Sequence, residues 1–276
     1  MPSFSLGPRG ISGLPELTND ALESARWNPE IGCLVDRIRP DLPLIISFGF
    51  VDWERLPIFD FFGRTKKLEA RAKLPFNRIL IRDIKNAWYH RGVPGLGSHV
   101  DEVVTTLRGL IHSIRPNRVM TIGQSMGGYA AIMFGMLLDA DRIVAFGPLS
   151  HLDPGEAVRY GDLRFLRVMS ELAADPPKSG YFDLTKLGED RRYRGRLHVI
   201  FGTNPGIDDG DSGNLDAIHA LRLARLPNVH LHPHPESPHA VVQWLVDHGQ
   251  IDELLADLLS FDGGSGRPGR EATGAG

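Results

Sequence analysis

Apolar residues fall along this chain in short unbroken runs, separated by stretches where they recur every three or four positions. The runs occupy residues 42–48, 78–82, 118–122, 142–146, 197–201 and 229–231. They are too short for helices and apolar throughout, as strands buried on both faces are. The second pattern is clearest where Val100, Val103, Val104, Leu107, Leu110, Ile111 and Ile114 share one helical face, with Ser98 and Asp101 placed to cap its start. Further helices are expected over 126–138, 215–226 and 251–259, and within 240–246. Strands alternating with helices predict an α/β fold, a mainly parallel central sheet with helices on both faces.

One interval breaks the alternation. Residues 147–195 separate two strands by far more than a crossover needs, and Leu163, Leu166, Met169 and Leu172 predict a helix inside the interval. It reads as an insertion lying over the end of the sheet, within a single domain spanning 1–261. The first thirty or so residues are polar with scattered Pro and Gly, and are expected to pack loosely against the body. Residues 262–276 lack any large apolar side chain and are expected to be disordered.

Composition works mainly by exclusion. Among 276 residues, 31 Lys and Arg stand against 34 Asp and Glu, a net charge of −3, without the basic excess of nucleic-acid binders. No nucleic-acid partner is expected. Cys33 is alone, so no intrachain disulfide can form, which fits a reducing compartment. The start shows no basic segment leading into an apolar one, and a cytoplasmic location is expected. Residues 119–138 carry no charge and are long enough to span a membrane. Gly123, Gln124, Ser125, Gly127, Gly128 and Gly135 interrupt them, and the apolar period changes halfway. A buried strand turning into a buried helix explains this better, so no membrane partner is expected either.

That turn carries the chemistry. Gly123-Gln-Ser-Met-Gly-Gly128 has the Gly-x-Ser-x-Gly pattern between a strand and a helix, the context that gives the pattern meaning. A sharp turn there strains Ser125, needs glycines two positions either side, and exposes the hydroxyl at a helix N-terminus, where developing negative charge is favoured. A serine hydroxyl is a poor nucleophile without a base oriented by an acid. Of 11 histidines, His239 fits best, in a loop after the last strand and before the final helices. His230 and His232 alternate on one strand face and raise a metal site, but no Cys, Glu or Asp pair stands at ligand spacing. Neither metal nor organic cofactor is expected. An oxyanion hole needs two N–H groups, assigned to Met126 and to Phe50, with Gly49 as the neighbouring option after the first strong strand.

With these features, residues 40–260 resemble the α/β-hydrolase superfamily, in its serine-nucleophile branch. The resemblance implies a catalytic acid in the loop after the fifth strand, where Asp208 is preferred by its interval before the next helix and Asp216 is the alternative. It also implies that the 147–195 insertion is a lid, with Phe165, Tyr181 and Phe182 shaping an acyl pocket. The segments Trp88-Tyr-His-Arg-Gly-Val-Pro-Gly-Leu-Gly97, Ser125-Met-Gly-Gly-Tyr-Ala-Ala131 and Asp216-Ala-Ile-His-Ala220 look like a poorly characterised bacterial subgroup, whose members accompany biosynthetic or glycan-modifying proteins. Trp88, Tyr89 and Arg91 follow the second strand at the edge where α/β folds bind ligands, and either line the substrate pocket with Gly49 or anchor a long loop. The expected function is that of an esterase- or thioesterase-like serine hydrolase or acyltransferase. It would act on an ester, thioester or activated amide, on a small molecule or a carrier, through an acyl-enzyme on Ser125. The alternative is a non-hydrolytic binding or scaffold component of a biosynthetic assembly, suggested by the loop-rich insertion and by the lack of a simple Gly-x-x-Asp after the fifth strand. Oligomeric state has no signal in the sequence.

Overall fold

All six apolar runs are strands of one sheet. The computed structural model describes residues 6–7, 10–11, 14–36, 39–73, 75–204 and 214–260. Its elements are, in chain order, the two-residue strands β1 (Leu6–Gly7) and β2 (Gly10–Ile11), α1 (Asn19–Ala25), β3 (Cys33–Asp36), β4 (Leu44–Phe48), α2 (Phe62–Ala72) and β5 (Asn77–Ile81). Then come α3 (Val100–Ile114), β6 (Val119–Gln124), α4 (Met126–Leu137), β7 (Arg142–Phe146), α5 (Pro154–Tyr160), α6 (Leu166–Ala174) and α7 (Leu184–Arg191). The chain closes with β8 (Arg196–Gly202), α8 (Asp216–Leu223), β9 (Val229–His234), α9 (Val241–Asp247) and α10 (Ile251–Leu259).

The seven-stranded sheet has the order β3-β5-β4-β6-β7-β8-β9. Every pair is parallel except β3 with β5, where Cys33 faces Ile81 in antiparallel register. Side chains alternate across the sheet as a period of two requires. Leu44, Ile46 and Phe48 join one core layer with α3, α4, α7 and α8, while Ile45 joins the other with α2, α9 and α10. From β4 the chain crosses to β5 on one side and then to β6 on the other. The carboxyl ends of β4 and β6 therefore flank the crevice where α/β sheets bind ligands.

The uncharged 119–138 segment is β6 followed by α4, every residue of which is buried. Among the described residues no helix is long and apolar enough to cross a membrane. The long interval after β7 holds three helices rather than one. The last, α7, is the crossover helix: a methyl group on its Gly188 would press on Leu226 and on Met136 of α4. The stretch left between β7 and α7 contains α5 and α6. At the start of α3, the Glu102 carboxylate accepts from the Ser98 N–H and hydroxyl, while Asp101 accepts from the Tyr181 hydroxyl at 2.7 Å. The 262–276 tail lies outside the described residues.

The amino-terminal region departs from its expected loose packing. Thr18 caps α1 by accepting the Ala21 N–H at 3.0 Å. Arg82, wholly buried at the end of β5, then ties this region to the sheet. Its guanidinium donates to the carbonyls of Ala25 (2.6 Å), Asn28 (2.8 Å), Ile31 (2.9 Å) and Pro57 (3.0 Å). Four carbonyls converging on one fork are stranded together if the fork goes, and buried unpaired groups are costly. We expect Arg82→Met to lower stability by about 3 kcal/mol in urea unfolding, with Arg82→Lys recovering only part. A loss below about 0.5 kcal/mol, the scale of an ordinary surface change, would contradict this role.

Candidate active site

Ser125 sits between β6 and α4 with φ 52° and ψ −118°, a conformation that L-residues rarely adopt. Its N–H donates to the Phe146 carbonyl of β7 at 2.8 Å. The flanking glycines are required by contact. A Cβ at Gly123 would stand 2.1 Å from the Gly127 carbonyl oxygen, and one at Gly127 2.2 Å from the Phe48 carbonyl oxygen of β4. Helix α4 can therefore begin directly over the ends of β4 and β6, with the Ser125 hydroxyl at its N-terminus.

The hydroxyl meets His239, from the loop between β9 and α9. Ser125 Oγ lies 3.0 Å from His239 Nε2, and His239 Nδ1 lies 2.9 Å from both carboxylate oxygens of Asp216. With Nδ1–H donating to the carboxylate, Nε2 accepts the serine proton. Asp216 is the first residue of α8, where its charge also faces the positive end of the helix. Burial pushes its carboxyl up, but the His239 bond and the Arg164 guanidinium outweigh burial and hold it below the usual range. Arg164 Nη1 donates to Asp216 at 3.0 Å. Its Nε and Nη2 donate to the two oxygens of Asp162 at 2.9 and 2.7 Å. Asp162 in turn accepts from His219 Nε2–H at 2.9 Å, whose Nδ1 accepts the Ser150 N–H at 3.0 Å.

The first-turn position of Met126 leaves its N–H without an intrahelical acceptor. The Phe50 N–H, just past β4, has no backbone acceptor among the described residues. Arg164, the partner of Asp216, also lines a groove with Trp53, Phe165, Arg167 and Val168.

No family model matches this sequence, and no curated protein matches it. Solved structures do. The capsule O-acetyltransferase of Neisseria meningitidis serogroup A matches with a TM-score of 0.52 at 14% identity, over 80% of this chain and 91% of that one. A chain of the Glycosylation Associate Protein (Gap123) complex from Streptococcus agalactiae matches with a TM-score of 0.53 at 18% identity, over 83% of this chain but only 44% of its own length. Est1E from Butyrivibrio proteoclasticus gives 0.49 at 12% identity, over 82% and 93%. The strand order, parallel but for β3, with the serine turn after β6, makes this an α/β-hydrolase fold, and the two matches above 0.5 agree with it.

On the α/β-hydrolase scaffold the candidate residues separate into two groups. Ser125, His239 and Asp216 come together, with Met126 and Phe50 beside them. Asp208, preferred as the acid from its spacing, lies outside the described residues, and the carboxylate at His239 is that of Asp216. Trp88 and Tyr89 belong to the hydrophobic core. Both are wholly buried, Trp88 edge-on to Phe165 at 4.8 Å and the Tyr89 hydroxyl donating to the Gly49 carbonyl at 2.8 Å. Arg91 pairs with Asp175 at 2.8 Å on the surface. Of the two readings open for this segment, the geometry is that of a loop anchor. The Asp83 carboxylate organises the loop by accepting the N–H groups of Lys85, Ala87 and Tyr89. A methyl at Gly49 would collide with the Ile58 carbonyl, so this glycine is needed for packing beside the crevice. His230 stacks on His198 at 4.9 Å, and His232 Nε2 lies 3.1 Å from His198 Nδ1. Among the described residues no group of three or more His, Cys, Asp or Glu could hold a metal ion.

Sequence reasoning missed Arg164, Asp162 and His219. A partial signal existed, since Asp216 and His219 are one turn apart on α8 and share a face. The strain at Ser125 gives a test independent of activity. Ser125→Gly and Ser125→Ala both lose the hydroxyl, but only glycine accepts this φ and ψ freely. We expect the glycine variant to be more stable by about 1 kcal/mol in thermal or urea unfolding. Equal stability, or alanine ahead, would show that the turn is not strained.

Proposed function

We propose that the protein is a serine hydrolase or acyltransferase working through an acyl-enzyme on Ser125, with His239 as base and Asp216 as its orienting acid. The observation that carries this reading is the continuous bonding from Ser125 through His239 to Asp216, at distances of 3.0 and 2.9 Å. A binding or scaffold role needs no such chain and no strained serine. The fold accommodates hydrolysis and transfer alike, the similar capsule protein being an O-acetyltransferase.

In this reading Ser125 Oγ attacks the carbonyl carbon of an ester, thioester or activated amide while its proton passes to His239 Nε2. The carbonyl oxygen becomes an oxyanion facing the Met126 and Phe50 N–H groups and the N-terminus of α4. The carbon–leaving-group bond then breaks, and the leaving group takes the proton from His239. The acyl group remains on Ser125. Water, an alcohol or an amine next gives its proton to Nε2 and attacks the acyl carbon; the bond to Ser125 Oγ then breaks, and Oγ takes that proton back from Nε2. Asp216 holds the imidazole in the tautomer that accepts at Nε2 and balances the imidazolium formed in each step. Trp53, Phe165 and Val168 give the adjoining groove an apolar wall suited to part of a small or carrier-bound acyl substrate.

A fluorophosphonate probe is expected to label Ser125, and Ser125→Ala to abolish both labelling and turnover of p-nitrophenyl esters or acyl thioesters. Well-folded protein that neither labels nor turns over any of the panel would instead support the scaffold role. The acid is tested separately. Asp216→Asn should lower turnover by about 10⁴-fold, the scale for a lost triad acid, while Asp208→Asn should change it by less than about tenfold on the same scale. The reverse ranking would move the acid back to Asp208.

A further inference from the structure

The triad acid has an unusual neighbour. Arg164, only 3% exposed, comes from the segment between α5 and α6, and reaches across to Asp216 on α8 and to its own neighbour Asp162. Its Nη1 stands 3.4 Å from His239 Nδ1. Both nitrogens donate to Asp216, so they converge on one carboxylate rather than bonding to each other.

A cation this close to the base poses a problem. The reaction requires His239 to become an imidazolium, which a neighbouring guanidinium disfavours. Asp162 supplies the compensation. It accepts two of the Arg164 donors, so one cation lies between two carboxylates, and the group as a whole presents a single negative charge to His239. That is the charge a lone acid would present. Burial opposes ionisation of both partners, but their mutual bonds hold the Asp162 carboxyl low and the guanidinium charged. His219 does not change this balance, because its Nδ1 accepts from the Ser150 N–H and Nε2–H donates to Asp162. Behind it His151 is pushed down to about 4 by burial. On the loop of His239 itself, Glu236 points into solvent.

We propose that Arg164 is a positioning residue that clamps the triad acid Asp216, and that Asp162 is the counter-ion that keeps this clamp from suppressing protonation of His239. The inference rests on the triad reading above and adds to it a role for the stretch containing α5 and α6. Two residues of that stretch set the charge seen by the catalytic base. The stretch is thus part of the proton-transfer apparatus. Replacing it with a linker would strip Asp216 of the guanidinium that pairs with it.

The charge arrangement makes predictions of opposite sign, which mere structural damage would not produce. The probe is the His239 ring, followed by NMR across pH in the Ser125→Ala background, together with the acid limb of kcat/KM in protein retaining Ser125. Arg164→Met removes the cation and should move both midpoints up by about one pH unit. Asp162→Asn removes the counter-ion and should move both down, by roughly half a unit at its greater distance. The double variant Asp162→Asn/Arg164→Met restores the single negative charge, and its midpoint should return close to the parent value. Arg164→Lys keeps the charge but loses the fork. It should leave the midpoint nearly unchanged while lowering kcat by on the order of tenfold to a hundredfold with little change in KM, as a misplaced acid does. If Arg164→Met alone does not fold, Asp162→Asn and the double variant still decide. Shifts of the same sign, or none, overturn the proposal. Opposed NMR shifts in a protein without turnover would uphold the charge coupling and instead defeat the proposed function.

Discussion

The crowding of three backbone segments at the β6–α4 turn is the constraint on which the rest of the site depends. The Gly127 position approaches the Phe48 carbonyl of β4, and the Gly123 position approaches the Gly127 carbonyl, closer than any Cβ allows. With glycine at both places, α4 starts directly above the sheet, and its buried body fills the space between β6, β7 and α7. The same crowding leaves Ser125 no relaxed conformation and turns its hydroxyl outward, at the positive end of the helix. Strain at one residue is sustained because α4 is buried along its whole length and cannot relax away from the sheet.

The other site groups reach this point from distant parts of the chain. His239 is carried by the loop after β9, pressed against the end of β8, where the Asn204 N–H donates to the Ser237 carbonyl at 3.1 Å. Asp216 opens α8, which packs against β8 and β9. Neither would be placed reliably by its own short segment. The parallel register of β6, β7, β8 and β9 brings their carboxyl ends into line, and the meeting of Ser125, His239 and Asp216 follows from that alignment.

The stretch between β7 and α7 is held by the loop after β5 and by α4. Phe165 packs on Trp88 at 4.8 Å, Phe182 on His90 at 4.8 Å, and the Tyr129 hydroxyl donates to the Tyr181 carbonyl. The aromatic residues of the segment thus serve chiefly as anchors, with Phe165 alone among them also lining the groove. This arrangement explains why the segment can supply buried charges to the site. Arg164 and Asp162 need a rigid support, because an ion pair that wandered would leave Asp216 and Asp162 unpaired in a poorly solvated interior.

Much of this fold was legible in the sequence, because burial on both faces leaves strands apolar throughout and α3 displays one continuous apolar stripe. The β6–Ser125–α4 turn was legible for a steric reason, since only glycine at 123 and 127 permits that approach of backbones. His239 could be chosen from its place after the last strand. Among the elements that escaped, α1 and α2 carry too few apolar residues for a pattern, and the carbonyls around α1 are held by Arg82, remote in sequence. The carboxylate that meets His239 was carried only as the alternative, for a related reason. Several aspartates precede α8, local spacing favoured Asp208, and nothing local tells a solvated carboxylate from a buried one. Contact with His239 and Arg164, residues 23 and 52 positions away, singles out Asp216. The burial of Trp88 and Tyr89 and the joining of Asp162, Arg164 and His219 were likewise decided only by tertiary structure. Sequence pattern records which residues are buried along each element, whereas charge pairing depends on which elements meet.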